Sequence, residues 1–190
     1  MAWLASAEAH PLDIGHLEYE DQACYFLNIA SAGISGEVDR RVNSITRRRP
    51  WTFYLASVRS FLSYQPPSVT VRLDGEVYYN GQVWVVVVAN GGYFGRGMHI
   101  APDAKIDDGL FEVLVIKGSS RFTVLRAFNT VYSGQHLLRE DVMLKRAQVV
   151  EIETQNDPLP LDLDGEHTQG RRLHFRVLPA ALKILIGKGS

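Results

Sequence analysis

A mainly β chain, an α+β elaborated sandwich or distorted barrel with one to three flanking helices, is what this sequence predicts. Three observations carry that expectation. Val83 to Ala89, VWVVVVA, is a continuous β-branched run, the mark of a strand buried on both faces rather than one. Short apolar runs recur from residue 69 onward, separated by Asp-Gly, Asn-Gly and Pro turns. Only a few stretches keep helical spacing, so helices are attachments to the sheets.

The elements follow in order. Pro11 to Glu20, PLDIGHLEYE, starts abruptly, like the middle of something. Ala23 to Ala30 is an apolar strand candidate. Gly33 and Gly36 break the chain before the helix-compatible GEVDRRVNSITRR. Pro50 suits the first turn of a helix through WTFYLASVRSFLSY, which Pro66 and Pro67 end. Val69, Val71 and Leu73 alternate with Thr70 and Arg72, giving a half-buried strand. Asp74-Gly75 reverses it as a hairpin, and Asn80-Gly81 is expected to turn again into the valine strand.

Between Val83–Ala89 and a second strand at Leu110–Lys117 lies a crossing rich in glycine: Asn90, Gly91, Gly92, Gly95, Gly97, then Pro102, Asp107, Asp108 and Gly109. Such density implies sharp turns or close backbone approach, and a long loop in a compact domain usually has a task. Ser119 or Ser120 can cap a helix over RFTVLRAFNTVYSG that Gly134 stops. Short strands follow at Val142–Leu144, Ala147–Glu153, Leu159–Leu163, Leu173–Val177 and Leu182–Ile186. No repeat or linker divides residues 1–190, so one domain is expected.

Composition narrows the function classes. With 190 residues, 46% hydrophobic, the chain can build one sizeable core. A net charge of −1 argues against nucleic-acid binding. The single cysteine, Cys24, allows no internal disulfide and favours a reducing, cytoplasmic setting. The basic run Arg40, Arg41, Arg47, Arg48 and Arg49 has two readings: a solvated helix face, or peripheral contact with anionic lipid head groups.

Three acidic turns are the candidate sites: Asp74-Gly75-Glu76, Asp107-Asp108-Gly109 and Asp164-Gly165-Glu166. Each is first of all a β-turn, for which Asp and Gly are common choices. Asp108, beside a tight glycine turn, also suits Mg²⁺, which prefers oxygen ligands. Glu166, just past a sharp turn, can project into a cleft and accept a proton from an alcohol. His167 beside it is the alternative base, or simply a solvated residue. No serine sits in GxSxG, and GGYFGRG lacks the lysine ending of a P-loop.

The order of these motifs is more specific than any one of them. ANGGYFGRGMHIAPDAKIDDGLFEVLVI, then LDLDGE, then FRVLPAALKIL, resembles the soluble diacylglycerol kinase and sphingosine kinase-like lipid kinases, the bacterial type above all. FLNIASAGISGEVDRRV and PLDIGHLEYE extend the resemblance over almost the whole chain, from Pro11 to Ile186. It implies the C-terminal β-sandwich domain of the NAD kinase/diacylglycerol kinase-like fold. The family's first domain, with its Gly-Gly-Asp-Gly-Thr motif for nucleotide phosphates, has no counterpart here, and the chain is expected to be the second half of a two-domain enzyme.

By the resemblance, Glu166 is the proton acceptor, presented by Asp164 and Gly165. Asp108 binds Mg²⁺ with the carbonyls of Lys105 and Leu110. Asp74-Gly75-Glu76 is only a hairpin. ATP is the co-substrate, held mainly by the other domain, and a lipid hydroxyl is the acceptor. An acyl chain is expected in the sandwich interior or a gap between sheets. A former interdomain face can also pair two copies as a homodimer. Two other readings stand: a non-catalytic sandwich that binds lipid or protein, and an NAD kinase-like enzyme.

Overall fold

The longest apolar run sets the architecture. A computed structural model describes residues 7–43, 63–95 and 97–186. In it β5 (Glu76–Ala89) belongs to two sheets at once. Its first half pairs with β4 (Ser68–Leu73), and its second half pairs with β3 (Ile29–Gly33) on one side and β8 (Phe111–Lys117) on the other. The first sheet continues through β10 (Val149–Thr154), β13 (Arg172–Ile186), β1 (Glu8–Tyr19) and β2 (Gln22–Phe26). The second continues from β3 to β11 (Leu159–Leu163) and β12 (Glu166–Gly170), and from β8 to β9 (Val142–Ala147). Every pairing is antiparallel.

The valine strand is buried on both faces, as its composition requires. Val83, Val86 and Val88 face the core between the sheets. Trp84, Val85, Val87 and Ala89 face outward into a second apolar cluster. The inter-sheet core is closed: Phe26 stacks on Phe111 with centroids 5.7 Å apart and meets Phe175 edge-on at 6.2 Å. These rings occupy the sandwich interior in which an acyl chain was expected. Space exists instead on the outer face of the second sheet.

Several boundaries differ from the sequence reading. Asn80-Gly81 does not reverse the chain; β5 runs straight through it while passing from one sheet to the other. Pro11–Glu20, given no element in the sequence reading, forms most of β1, which pairs along β13 from Glu8↔Ile186 to Tyr19↔Leu173. Leu173–Val177 and Leu182–Ile186 are parts of that one strand β13, bent near Ala180 (φ 51°) and opposite an irregularity between Leu12 and Ile14. Ala23–Ala30 splits into β2 and β3 at Leu27-Asn28. Helix α1 (Ile34–Asn43) starts two residues before Gly36, and the rest of that predicted helix, with most of the one after Pro50, lies outside the described residues.

The predicted helix after Ser120 is α2 (Arg121–Ala127) continued by 3₁₀ turns at Phe128–Ser133 and Gln135–Leu138. Gly134 separates the two turns at φ 72°. With α1, this excursion between β8 and β9 covers the outer face of the second sheet. Among the described residues no helix is long and apolar enough to cross a membrane.

Candidate functional site

The Asp164-Gly165 turn joins β11 to β12 as a two-residue hairpin, with both residues at positive φ, 51° and 94°. Its carboxylate reaches across the fold. Asp164 accepts backbone N–H bonds from Leu27 (2.6 Å), Asn28 (3.1 Å) and Ile29 (2.8 Å). That explains why Ala23–Ala30 is two strands: the tip between them is held by three donors to one side chain. Asp74 does the same elsewhere, at φ 50° before Gly75 at 86°, accepting from Gln148 (3.0 Å) and Val149 (2.9 Å). The two Asp-Gly-Glu turns are one structural device, and only their surroundings separate them.

The pinned β2–β3 tip in turn grips the start of the glycine crossing. The Asn28 carbonyl accepts from the N–H groups of Asn90 and Gly91, both at 2.9 Å, and the Asn28 amide donates to the Tyr93 carbonyl at 2.8 Å. A Cβ on Gly91 would collide with the Asn28 amide oxygen, so a side chain there would have to displace the amide that holds Tyr93. Buried Asn90 donates to the carbonyls of Leu27 (2.8 Å) and Asp13 (3.0 Å). The crossing itself folds back as a small hairpin, β6 (Tyr93–Phe94) with β7 (Met98–His99).

Asp13 completes the chain of contacts. Its buried carboxylate accepts from Gly109 N–H (2.6 Å) and Ala180 N–H (2.7 Å), and its own N–H donates to the Ile106 carbonyl (2.7 Å). Thus the Asp-Gly-Glu turn, the Asn-Gly, the glycine crossing and the Asp-Asp-Gly turn are linked through Asn28, Asn90 and Asp13 by hydrogen bonds, most of them between a side chain and backbone. Sequence reasoning passed over both residues. The only available signal was negative: an aspartate inside an otherwise apolar strand, and an asparagine between two apolar runs.

At the Asp-Asp-Gly turn, Asp108 accepts from Leu110 N–H at 3.1 Å and is ion-paired to Arg146. Arg146 also pairs with buried Glu112 at 3.1 Å. Burial pushes the Glu112 carboxyl up; Arg146 opposes this, and Asp103 and Asp108 add to it. The predicted Mg²⁺ set is the Asp108 carboxylate with the carbonyls of Lys105 and Leu110. These are hard oxygen donors of the kind Mg²⁺ takes, so the set fits in chemistry, with Arg146 as an internal competitor for the carboxylate. Among the described residues no three His, Cys, Asp or Glu side chains cluster as a metal site.

The space lies against the outer face of β3 and β5. A cavity of about 460 Å³ is walled by Ile34, Trp84, Val87, Phe94, Met98 and Val131 among other apolar side chains. Asn28, Asp162, Asp164 and Gly165 contribute polar groups to its wall, as do His136, Arg139 and Asp141. An apolar pocket with a few polar groups is the usual form of a small-molecule site. Burial lowers the His136 imidazole pKa, against the carbonyls of Ile100 and Thr130 that raise it. Its Nε2 lies 2.9 Å from the Ile100 carbonyl.

Glu166 is exposed at the start of β12 and pairs across the hairpin with Leu163, which belongs to the inter-sheet core. Opposed residues share a sheet face, so Glu166 projects at the sandwich rim on the Cys24 side. Burial pushes the Cys24 thiol up, and the Glu166 charge adds to this. Asp162 and His167 oppose each other on the other face, toward the cavity. The structure therefore brings Asp164 and Gly165 to the cavity and puts Glu166 one residue beyond them, around the edge. Asp108, Lys105 and Leu110 form a separate group, joined to these by the hydrogen-bonded chain through Asp13.

Known proteins resemble the chain in sequence and in fold. Residues 28–186 match the family described as YegS C-terminal NAD kinase beta sandwich-like domain. The chain is 26% identical over 161 residues to a diacylglycerol kinase of Bacillus subtilis, covering 84% of this chain and 51% of that one. It is 31% identical over 172 residues to a probable lipid kinase YegS-like of Chromohalobacter salexigens, covering 87% and 53%. It therefore spans about half the length of the curated relatives it matches. In fold it is similar to a putative diacylglycerol kinase of Bacillus anthracis, with a TM-score of 0.65 at 24% identity over 93% of this chain and 56% of that one. It is similar also to yeast NADH kinase, with a TM-score of 0.52 at 12% identity over 97% and 45%. With most of its length matched and the curled antiparallel sandwich in common, the chain belongs to the family of YegS C-terminal NAD kinase beta sandwich-like domains.

Proposed function

We propose that this chain is the acceptor-binding half of an ATP-dependent lipid kinase that phosphorylates a lipid hydroxyl. The observation that carries the reading is the position of the Asp164-Gly165-Glu166 hairpin: two of its residues wall an apolar cavity, and the third carries an exposed carboxylate around the sheet edge, one residue beyond that wall. In this reading the cavity takes an acyl chain. Glu166 orients and deprotonates the hydroxyl, an effect worth about 10²–10⁴-fold. Asp164 and Gly165 hold that carboxylate on a rigid turn. Phosphoryl transfer needs positioning and charge neutralisation more than covalent help, and a nucleotide-binding half supplies the grip on ATP. Relatives named diacylglycerol kinase and probable lipid kinase support the reaction class.

Asp108, with the Lys105 and Leu110 carbonyls, holds Mg²⁺ in this reading. The ion would neutralise charge and stiffen the Asp-Asp-Gly turn, while Asp13 already pins that turn from the other side.

The test compares three proteins for phosphate transfer from radiolabelled ATP to a panel of long-chain alcohols. They are the chain alone, the chain fused behind a nucleotide-binding half from the family, and that fusion with Glu166→Gln. The expected result is little or no turnover alone, turnover in the fusion, and a loss of about 10²-fold or more with Glu166→Gln. Near-normal turnover in the Gln variant would remove Glu166 from its role. Absence of transfer to every lipid, with folding intact, would favour a non-catalytic binding domain.

A further inference from the structure

We infer that Arg146 gates metal loading at the Asp-Asp-Gly turn: Mg²⁺ reaches Asp108 only as the guanidinium withdraws onto Glu112. The inference rests on the reading of Asp108 as a Mg²⁺ ligand and adds a residue that reading does not contain. Both oxygens of the Asp108 carboxylate already have donors. Oδ1 accepts from Leu110 N–H at 3.1 Å, and Oδ2 is paired to Nη2 of Arg146. The Leu110 N–H belongs to the turn itself. The arginine is the donor that can leave.

Arg146 has a second partner to withdraw onto. Glu112 and Arg146 are opposed residues of β8 and β9, and Arg146 Nε lies 3.1 Å from the Glu112 carboxylate. The Glu112 side chain is only 5% exposed and that of Arg146 is 44% exposed. A buried carboxylate keeps its cation, because losing it leaves a charge unpaired away from water. Nε is therefore the anchored end of the guanidinium, and Nη2 is the end that reaches out to Asp108. Arginine suits this task, since its fork of N–H donors can serve two carboxylates at once or turn two donors on one. A dication at Asp108 would meet a like charge a few ångström away and drive Nη2 off. The turn does not come apart in the exchange, because Asp13 holds the Gly109 N–H at 2.6 Å from the other side. Metal and arginine are thus alternatives at one carboxylate, and the hold of the arginine sets the Mg²⁺ affinity as much as the oxygen donors do.

The test is calorimetric titration of the chain with magnesium chloride, without nucleotide or lipid, so it does not depend on turnover. The parent is compared with the double variant Glu112→Gln, Arg146→Gln, each with and without Asp108→Asn, and with Glu112→Gln alone. Removing the opposed pair together leaves the net charge unchanged and no buried ion unpaired, and a melting curve checks the fold. Arg146→Gln alone is the second variant, with the same expected result. The double variant should bind Mg²⁺ about tenfold or more tightly than the parent, and Asp108→Asn should abolish that gain. Glu112→Gln alone, which leaves Arg146 wholly to Asp108, should bind no more tightly than the parent. Equal affinity in parent and double variant, lost in both with Asp108→Asn, overturns the gate and leaves the Mg²⁺ site standing. A gain that survives Asp108→Asn, or that Glu112→Gln alone reproduces, also overturns the gate. No Mg²⁺ binding by parent or variants overturns the metal reading and the gate with it.

Discussion

Asp13 is a single buried carboxylate that ties three segments. It accepts from Gly109 and Ala180, and its backbone holds Ile106 and Asn90. Replacing it with Ala strands the buried Gly109 N–H and the part-buried Ala180 N–H that its carboxylate satisfied. Asp13→Ala should therefore cost about 3 kcal/mol or more in denaturant unfolding, far beyond an ordinary surface change. His136 carries a pH dependence. Its folded pKa lies below the ordinary value, so the folded state binds fewer protons than the unfolded chain once pH drops below about 6.5. Its contribution is present in full above that pH and is lost as pH falls toward the depressed folded value. Urea midpoints should decline over that range, and His136→Gln, which keeps a donor for Ile100, should flatten the decline.

Among elements, the β11–β12 hairpin is informative because its tip does two things. The Asp164 carboxylate fixes the β2–β3 tip, and the turn itself leads into Glu166. Asp164→Ala should leave the sheets intact and free the tip. Exchange of the Leu27, Asn28 and Ile29 amides should quicken about tenfold, corresponding to roughly 1.4 kcal/mol of local protection, while core amides in β5 stay unchanged. An unaltered rate at those amides would mean that the tip is held by something else. This device also shows why the letters Asp-Gly-Glu are ambiguous. At Asp74 they give the same turn, the same pin and an exposed glutamate. An apolar cavity lies beside one turn, and only the folded chain reveals which.

At the level of the molecule, the sandwich was legible where local composition decides the outcome. The valine run has no polar face to spare, so a doubly covered strand was its only reasonable fate. β1 was hidden because its centre is buried on successive residues and includes Asp13 and His16, which masks any two-residue alternation. Gly81 looked like a reversal because Asn-Gly is a hairpin signal; here the strand is needed by both sheets, and its tertiary pairing overrides the local preference. The cavity was expected inside the sandwich, yet Phe26, Phe111 and Phe175 fill that space. Acidic turns could be picked out from sequence, and the resemblance ordered them. The links among them run through Asn28, Asn90 and Asp13 at separations no local pattern carries.

The pairing of Glu8 with Ile186 has an architectural result. The polypeptide enters and leaves the fold along neighbouring strands at a common border. A module with both connections at one border can be spliced behind or within another protein without threading a segment across its own body.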